Sequence, residues 1–208
     1  MAYAKKHTLA GNGWRRNRRN RTGHVRIIAG EWRGRRLAVA SRPQLRPTPS
    51  RLRETLFNWL GDSIRGCRVL DLYAGSGILG FEALSRGADH ATFVDIDKRT
   101  LTKLRDACQT FDLAAADASV VEANALQWLE RDKSLWDLVF VDPPFHAERH
   151  YARILSEIVN HLTPGGVVYV ESSARAEALV CPLHEWKSKN VGEVRIQLFT
   201  QLDETKQA

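Results

Sequence analysis

Asp142-Pro143-Pro144-Phe145 is the segment of this 208-residue chain whose residue types come closest to specifying a reaction. The apolar run Leu138–Val141 before it reads as a strand, so Asp142 stands at a strand's carboxyl end. Two prolines then fix the turn and supply carbonyls without amide donors. A planar exocyclic amine is a weak nucleophile because its lone pair is conjugated into the ring. An Asp142 carboxylate and the Pro143 carbonyl would accept its two N–H bonds and favour a pyramidal nitrogen. Phe145 offers the base a stacking face worth ~1–3 kcal/mol. The plainer reading of these four residues is a strand-ending turn with a buried Phe.

A second set lies upstream. Gly75-Ser76-Gly77-Ile78-Leu79-Gly80 matches G-x-G-x-x-G between the apolar run Val69–Tyr73 and an apolar helix, Ile78–Ser85. Such a loop permits a tight turn and close approach of backbone to a ligand, and by itself fits a dinucleotide enzyme or a packing turn equally. Asp95 ends the next strand, where a carboxylate can hold both ribose hydroxyls; its plainer role is a turn residue, with Asp97 better placed to cap the following helix. Asp71 separates the readings. It stands four residues before Gly75, where dinucleotide folds usually keep an apolar side chain. A carboxylate there suits a cofactor carrying an ammonium and a sulfonium, as S-adenosylmethionine does and NAD does not. It could also anchor the loop through backbone amides, and the two roles can coexist. With that cofactor, the amine at Asp142 would attack the sulfonium methyl in line, accelerated by positioning and electrostatics. No strong base is needed, because the methylated ammonium product is acidic.

The elements that must position these residues alternate. Strands are expected at Val69–Tyr73, Ala91–Val94, Ser119–Glu122, Leu138–Val141 and Val167–Val170, the last after a Pro164-Gly165-Gly166 break, with a late strand at Val194–Thr200. Between them lie helices at Ile78–Ser85, after Asp97 with Leu101, Leu104, Cys108 and Phe111 inward, around Leu126–Arg131, and from Tyr151 to Leu162. The pattern predicts an α/β fold with a mostly parallel sheet covered on both faces, and ligands beyond the carboxyl ends of its strands.

Charge divides the chain. Residues 1–53 hold 15 Lys and Arg and one acid, Glu31, whereas 54–208 hold 16 basic and 23 acidic side chains, so the net charge of +7 conceals a basic start and an acidic body. Residues 1–24 read as a basic, flexible arm in which Arg15, Arg16, Arg18, Arg19 and Arg21 can grip phosphate through bidentate forks. The alternative is a solubilising or targeting tail. Residues 25–66 read as a hairpin, Val25–Ala29 and Arg36–Ala40, followed by a helix over 49–60 with Leu52, Leu56, Trp59 and Leu60 on one face. Arg26, Arg33, Arg35 and Arg36 place positive charge on the hairpin. Thr48 followed by Pro49 predicts a helix cap and a first-turn proline. Residues 67–208 read as the domain that would carry the chemistry.

In "RIIAGEWRGRRL" (Arg26–Leu37), "LRPTPSRLRETLFNWL" (Leu45–Leu60), "VLDLYAGSGILGFEALSRGA" (Val69–Ala88), "FVDID" (Phe93–Asp97) and "VFVDPPF" (Val139–Phe145), the chain resembles class I S-adenosylmethionine-dependent methyltransferases. More closely it resembles the bacterial RsmD-type family that methylates guanine N2 in 16S ribosomal RNA. The likeness spans about residues 25–200, and the RPT-plus-LFNWL segment narrows it to that family. It implies a Rossmann-like, seven-stranded, mostly parallel sheet whose last strand, Val194–Thr200, is antiparallel. It implies that Asp71 and the Gly75-Ser76-Gly77 loop hold the methionine part and Asp95 the ribose, with Ile96, Asn124 and Ala125 completing the cofactor site. Asp142, Pro143 and Phe145 would hold the target amine and base. Arg46-Pro47-Thr48 would lie near the cofactor or substrate entrance. The chain departs from the family at Asn124, where relatives commonly carry Asp to meet the adenine amine; an Asn carbonyl can accept that bond. The implied partner is 16S ribosomal RNA, within a partly assembled small subunit.

The competing readings are adenine N6 methylation of RNA or DNA, which Asp142-Pro143-Pro144-Phe145 serves equally, and a non-catalytic RNA-binding assembly factor, against which the intact Asp142 argues. Asp71, and the lack of a Tyr-Lys or His-carboxylate pair in obvious spacing, disfavour a pyridine-nucleotide oxidoreductase. Cys67, Cys108 and Cys181 are few, odd in number and scattered, which fits a reducing cytoplasm rather than a disulfide framework. His146, His150 and His161 form no metal set. No apolar run approaches the ~20 residues of a membrane span, no export signal is visible, and a monomer is the default.

Overall fold

Short apolar runs buried on both faces build the sheet of the computed structural model, which describes residues 23–39, 48–143 and 151–201. Strands β3 (Arg68–Asp71), β4 (His90–Asp95), β5 (Ala118–Glu122), β6 (Trp136–Val141) and β7 (Leu162–Ser173) run parallel. β9 (Val194–Thr200) pairs antiparallel with β7, and β8 (His184–Val191) antiparallel with β9. The order is β5-β4-β3-β6-β7-β9-β8, the seven-stranded sheet expected, with Val194–Thr200 antiparallel. The chain reverses direction across the sheet between β3 and β6, so their carboxyl ends open a crevice there.

Period-two alternation splits the core into two layers. Leu138 and Phe140 face the layer of α1 (Ser50–Leu60), α2 (Ile78–Ser85) and α3 (Lys98–Thr110). Val139 and Val141 face α4 (Ala125–Leu129) and α5 (Tyr151–Ile158). Phe81 of α2 stacks on Phe93 of β4 at 4.6 Å, and Gly80 permits it: a Cβ there would sit 2.4 Å from the Phe93 ring. The N-terminal hairpin, β1 (Gly23–Arg26) and β2 (Arg36–Val39), joins the first layer through Ile27, Trp32 and Leu37.

One buried carboxylate fastens this assembly. Glu82 of α2 is wholly buried and accepts from the Ile28 and Ala29 amides at 2.8 and 3.0 Å, from Arg53 Nη1 at 3.0 Å, and from Arg86 Nε and Nη2 at 3.0 and 2.9 Å. Burial lowers the Arg53 guanidinium's affinity for its proton, and the Glu82 charge opposes that. Ser85 adds to the clamp, accepting from the Trp32 amide at 2.9 Å and donating to the Ala29 carbonyl at 2.7 Å. These bonds explain why the first strand stops at Arg26 and not Ala29: the Ile28 and Ala29 amides serve Glu82.

Three further elements depart from sequence expectation. Pro49 is itself the N-cap of α1, with no capping side chain; the Leu52 and Arg53 amides reach its carbonyl. Pro164-Gly165-Gly166 is no break but lies inside the 12-residue β7, absorbed by a register shift between the Trp136 and Leu138 pairings. β8 was not anticipated, because its exposed, charged sequence lacks an apolar face and its pairing with β9 alone defines it. Among the described residues no helix is long and apolar enough to cross a membrane.

Replacing Glu82 by Ala leaves Arg53 buried without its counter-ion. Urea unfolding is expected to show a loss of ~3–5 kcal/mol; a loss below about 1 kcal/mol would mean the clamp is dispensable.

Candidate active site

Acidic residues stand at or just past the carboxyl ends of neighbouring strands: Asp71 on β3, Asp95 on β4, Asp142 after β6 and Glu171 within β7. Asp71 is buried, and its Oδ2 accepts the Gly80 amide at 3.2 Å, so it caps α2 from the strand below. The loop-anchoring role is therefore real. Gly77, the N-cap of α2, has φ 71° and no capping side chain, and a Cβ there would meet Leu104 at 2.5 Å. Burial raises the Asp71 carboxyl to about 8; the Gly80 bond opposes this and the nearby Asp95 charge adds to it.

Asp95 braces the glycine loop. Its Oδ2 accepts from the Gly75 amide at 3.0 Å and its Oδ1 from the Asp97 amide at 2.8 Å. The Ser76 hydroxyl lies 3.4 Å from the Ile78 amide. Ile96, the next residue, presents a large apolar side chain that is 68% exposed. Asp97 caps α3 through the Thr100 amide at 2.8 Å, as expected. Asn124 caps α4: its Oδ1 accepts from the Leu126 and Gln127 amides at 3.1 and 3.3 Å. That oxygen is committed to the helix. Ala125 behind it is buried.

Asp142 keeps some exposed surface while Pro143 is buried. Burial pushes the Asp142 carboxyl well above the ordinary carboxylate range, Glu171 and Asp71 add repulsion, and a bond from the Thr48 hydroxyl partly opposes them. Glu171 is buried and also raised by burial, opposed by its bond from the Tyr169 hydroxyl. The Tyr169 hydroxyl donates to Glu171 Oε1 at 2.8 Å, and the Tyr151 hydroxyl to the Glu171 carbonyl. Thr48, expected as a helix cap, is instead a buried residue that caps no helix. Sequence reading missed Glu171 and Tyr169. The available signal was an acid ending the apolar run Val167–Val170, the feature that marked Asp71 and Asp142.

On the hairpin, Arg26, Arg33 and Arg36 are exposed. Arg26 lies directly opposite Arg36 in the β1–β2 register. Arg35 serves the fold as well: it donates to the Thr110 carbonyl at 2.7 Å and stacks 4.1 Å from the Phe111 ring centroid. Arg15, Arg16, Arg18, Arg19, Arg21, Arg46 and Phe145 lie outside the described residues. A separate cleft of about 530 Å³ near Cys67, Pro164 and Trp186 lies at the amino ends of the strands, and none of the expected site residues lines it.

A Rossmann-like sheet with an antiparallel β9, a glycine loop after β3 and acids at the strand ends defines a class I methyltransferase. The chain belongs to the RsmD family, whose model, described as conserved hypothetical protein 95, matches residues 25–200. It is 41% identical over 188 residues to ribosomal RNA small subunit methyltransferase D of Haemophilus influenzae, covering 86% of this chain and 95% of that one. The protein of the same name from Escherichia coli K12 is 40% identical over 187 residues, covering 86% and 90%. A solved structure of a candidate methyltransferase from Escherichia coli superposes with a TM-score of 0.75 at 38% identity, over 86% of this chain and 98% of that chain. A candidate methylase from Haemophilus influenzae gives 0.75 at 37%, over 87% and 100%.

A raised Asp71 makes the folded protein hold a proton that the unfolded chain releases. That contribution to stability is complete below about pH 4 and is lost as pH rises through about 8. Asp71→Asn is expected to flatten this part of the slope, so its Tm falls less than the parent's between about pH 5 and 8. Parallel slopes would place the retained proton elsewhere.

Proposed function

We propose that the protein transfers a methyl group from S-adenosylmethionine to the exocyclic N2 amine of a guanine in 16S ribosomal RNA. The observation that carries this is Asp142 at the carboxyl end of β6, adjoining Asp71 on β3 at the point where the chain reverses across the sheet. The named relatives act on small-subunit ribosomal RNA, which supports the substrate class.

The residues present fit the cofactor. The buried Asp71 carboxyl meets a cationic amino acid moiety, the Gly75-Ser76-Gly77 turn leaves room for close backbone approach, Asp95 stands at the end of β4 beside that turn to meet ribose hydroxyls, and the exposed Ile96 suits a flat adenine ring. Because the Asn124 oxygen caps α4, we assign adenine recognition on that side to the neighbouring backbone at Ala125 and to the Asn124 amide nitrogen. S-adenosylmethionine supplies an electrophilic sulfonium methyl when bound. Asp142 and the Pro143 carbonyl accept the two N–H bonds of the amine and hold its lone pair in line, and Phe145 stacks on the base. The methylated nitrogen is acidic, so Asp142 need only orient it and receive a proton that leaves readily.

On the hairpin, like charges directly opposite one another repel, and Arg26 opposite Arg36 is relieved by a polyanion. We assign this exposed face, with Arg33 and the arginines at positions 15–21, to the RNA backbone. The protein acts as a cytoplasmic monomer on a partly assembled small subunit; labelled methyl donor offered with naked RNA and with undermethylated subunits distinguishes the two substrates.

Asp142→Ala is expected to keep cofactor affinity within a few-fold while losing at least about 100-fold in kcat, with N2-methylguanosine as the parent's product on nucleoside digestion. N6-methyladenosine would instead establish the adenine reading. Arg26→Ala with Arg36→Ala is expected to lower the slope of log K against log salt by ~0.7–0.9 for each phosphate no longer neutralised. An unchanged slope would remove this face from the RNA interface.

A further inference from the structure

Among the described residues, Trp186 is the only Phe, Tyr or Trp that stands exposed, at 48%. The other described tryptophans are engaged: Trp32 stacks on Phe111 at 4.5 Å, Trp128 and Trp136 tilt together at 6.1 Å, and Trp59 packs against the core. Trp186 lies on β8, whose register with β9 shifts between Glu185 and Lys187, so it is the extra residue of a β-bulge. A bulge re-aims the side chains around it. Strict alternation would send Trp186 and Lys187 to opposite faces of the sheet. Here both turn toward α1. Trp186 lines the cleft of about 530 Å³ together with Leu60 and Ile64. Lys187 Nζ donates to the Trp59 carbonyl at 3.3 Å and stands 4.2 Å from the centroid of the Trp186 ring.

The same bulge sorts the charges. Lys189 is paired with Ile196, a member of the α1-side layer, and so shares the face of Lys187. Glu185, the acid of this strand, accepts from the Ser188 hydroxyl at 2.7 Å and from the Gln197 side chain at 2.5 Å. Gln197 alternates with Ile196 and Leu198, which places that carboxylate on the other face. Arg65 also lines the cleft; its side chain is 73% exposed and pairs at 3.4 Å with Asp62, a contact weakened by water. Asp137 is the acid on the lining, and its Oδ2 and Oδ1 accept from the Arg68 amide at 2.8 Å and the Thr163 hydroxyl at 2.7 Å.

We propose that this cleft is a second RNA site, which takes an unpaired nucleotide of the substrate RNA with its base stacked on Trp186 and its phosphates at Lys189 and Arg65. This rests on the reading of ribosomal RNA as the substrate. An open indole among cations is the arrangement that binds single-stranded nucleic acid without regard to sequence, because every base has a face to stack and every link a charge to meet. The cleft opens at the amino ends of the strands, and the six residues of β6 separate it from the crevice by ~20 Å. The nucleotide held there is therefore not the one modified. Contacts at both ends of the sheet favour a folded RNA that reaches around the protein over a short strand that meets the crevice alone.

The test uses the full chain with Trp186→Ala, Trp186→Phe and Lys189→Ala. The probes are a short fluorescein-labelled oligouridylate, which carries no guanine, free 16S RNA, and undermethylated small subunits. Trp186→Ala is expected to weaken oligouridylate binding by ~5- to 100-fold in fluorescence anisotropy, and Trp186→Phe to keep most of the affinity. Lys189→Ala is expected to lower the slope of log K against log salt by ~0.7. With small subunits, Trp186→Ala is expected to raise KM, while kcat and cofactor Kd change by less than about 3-fold. Ultraviolet crosslinking and mass spectrometry are expected to place uridine on the peptide that contains Trp186. Oligouridylate binding by Trp186→Ala at the parent's affinity would overturn the proposal. So would a binding loss confined to subunits and absent with free 16S RNA, which assigns the cleft to a ribosomal protein. A dimer that dissociates in Trp186→Ala on sedimentation would overturn it in favour of a second copy of the chain. Failure of the underlying reading looks different: the parent would leave small-subunit RNA unmodified while still binding oligouridylate through Trp186.

Discussion

Glu82 is the constraint on which the arrangement of this protein depends. An uncompensated carboxylate in an apolar interior is prohibitively unfavourable, and this one is satisfied by five donors from three separate segments. The hairpin, α1 and α2 therefore have one mutual placement in which the charge is accommodated. That placement extends toward the active site through Arg53, whose Nε donates to the carbonyl of the buried Thr48. The N-terminal hairpin and the crevice at the strand ends, far apart in sequence, are thereby held in one register.

The crevice poses the complementary problem. Parallel strands deliver their carboxyl ends to one edge, and here those ends carry Asp71, Asp95, Asp142 and Glu171. So many anions in a low-dielectric site cannot all stay charged. Burial shifts all three upward, Asp71 to about 8 and Asp142 and Glu171 above the ordinary carboxylate range. A cationic ligand is what would draw the charge back out, so the strain among the acids and the affinity for a sulfonium cofactor have one electrostatic origin. The basic hairpin faces the opposite requirement. Arg26 and Arg36 oppose one another on its exposed face, while Arg35, beside them in sequence, is spent on Thr110 and Phe111.

Much of this was legible in the sequence. The glycine loop, the order of the strands along the chain and the helix over Ile78–Ser85 emerge where expected, because each is specified by local chemistry: backbone freedom at glycine and apolar runs of strand length. Asp97 as a cap and Asp71 as a loop anchor follow from the same short-range logic. Less was legible where the partner lay far along the chain. Glu82 looks like one more surface-type acid in a helix until Ile28, Ala29 and Arg53 arrive around it. β8 has no apolar face to announce it, and β7 passes through Pro164-Gly165-Gly166 because its neighbours tolerate a register shift.

By itself, then, the sequence determined the class of fold and the strand ends at which the acids and the glycine loop gather, since these depend on periodicity and on what each residue can do alone. Tertiary structure decided which of those side chains are free and which are committed. It made Thr48 a buried residue and not a helix cap, Arg35 a structural tie, and the Asn124 oxygen a cap. It also brought Glu171 to Asp142. The physical reason is that a proton's location and a polar group's availability depend on burial and on distant partners, and neither exists until the chain has folded.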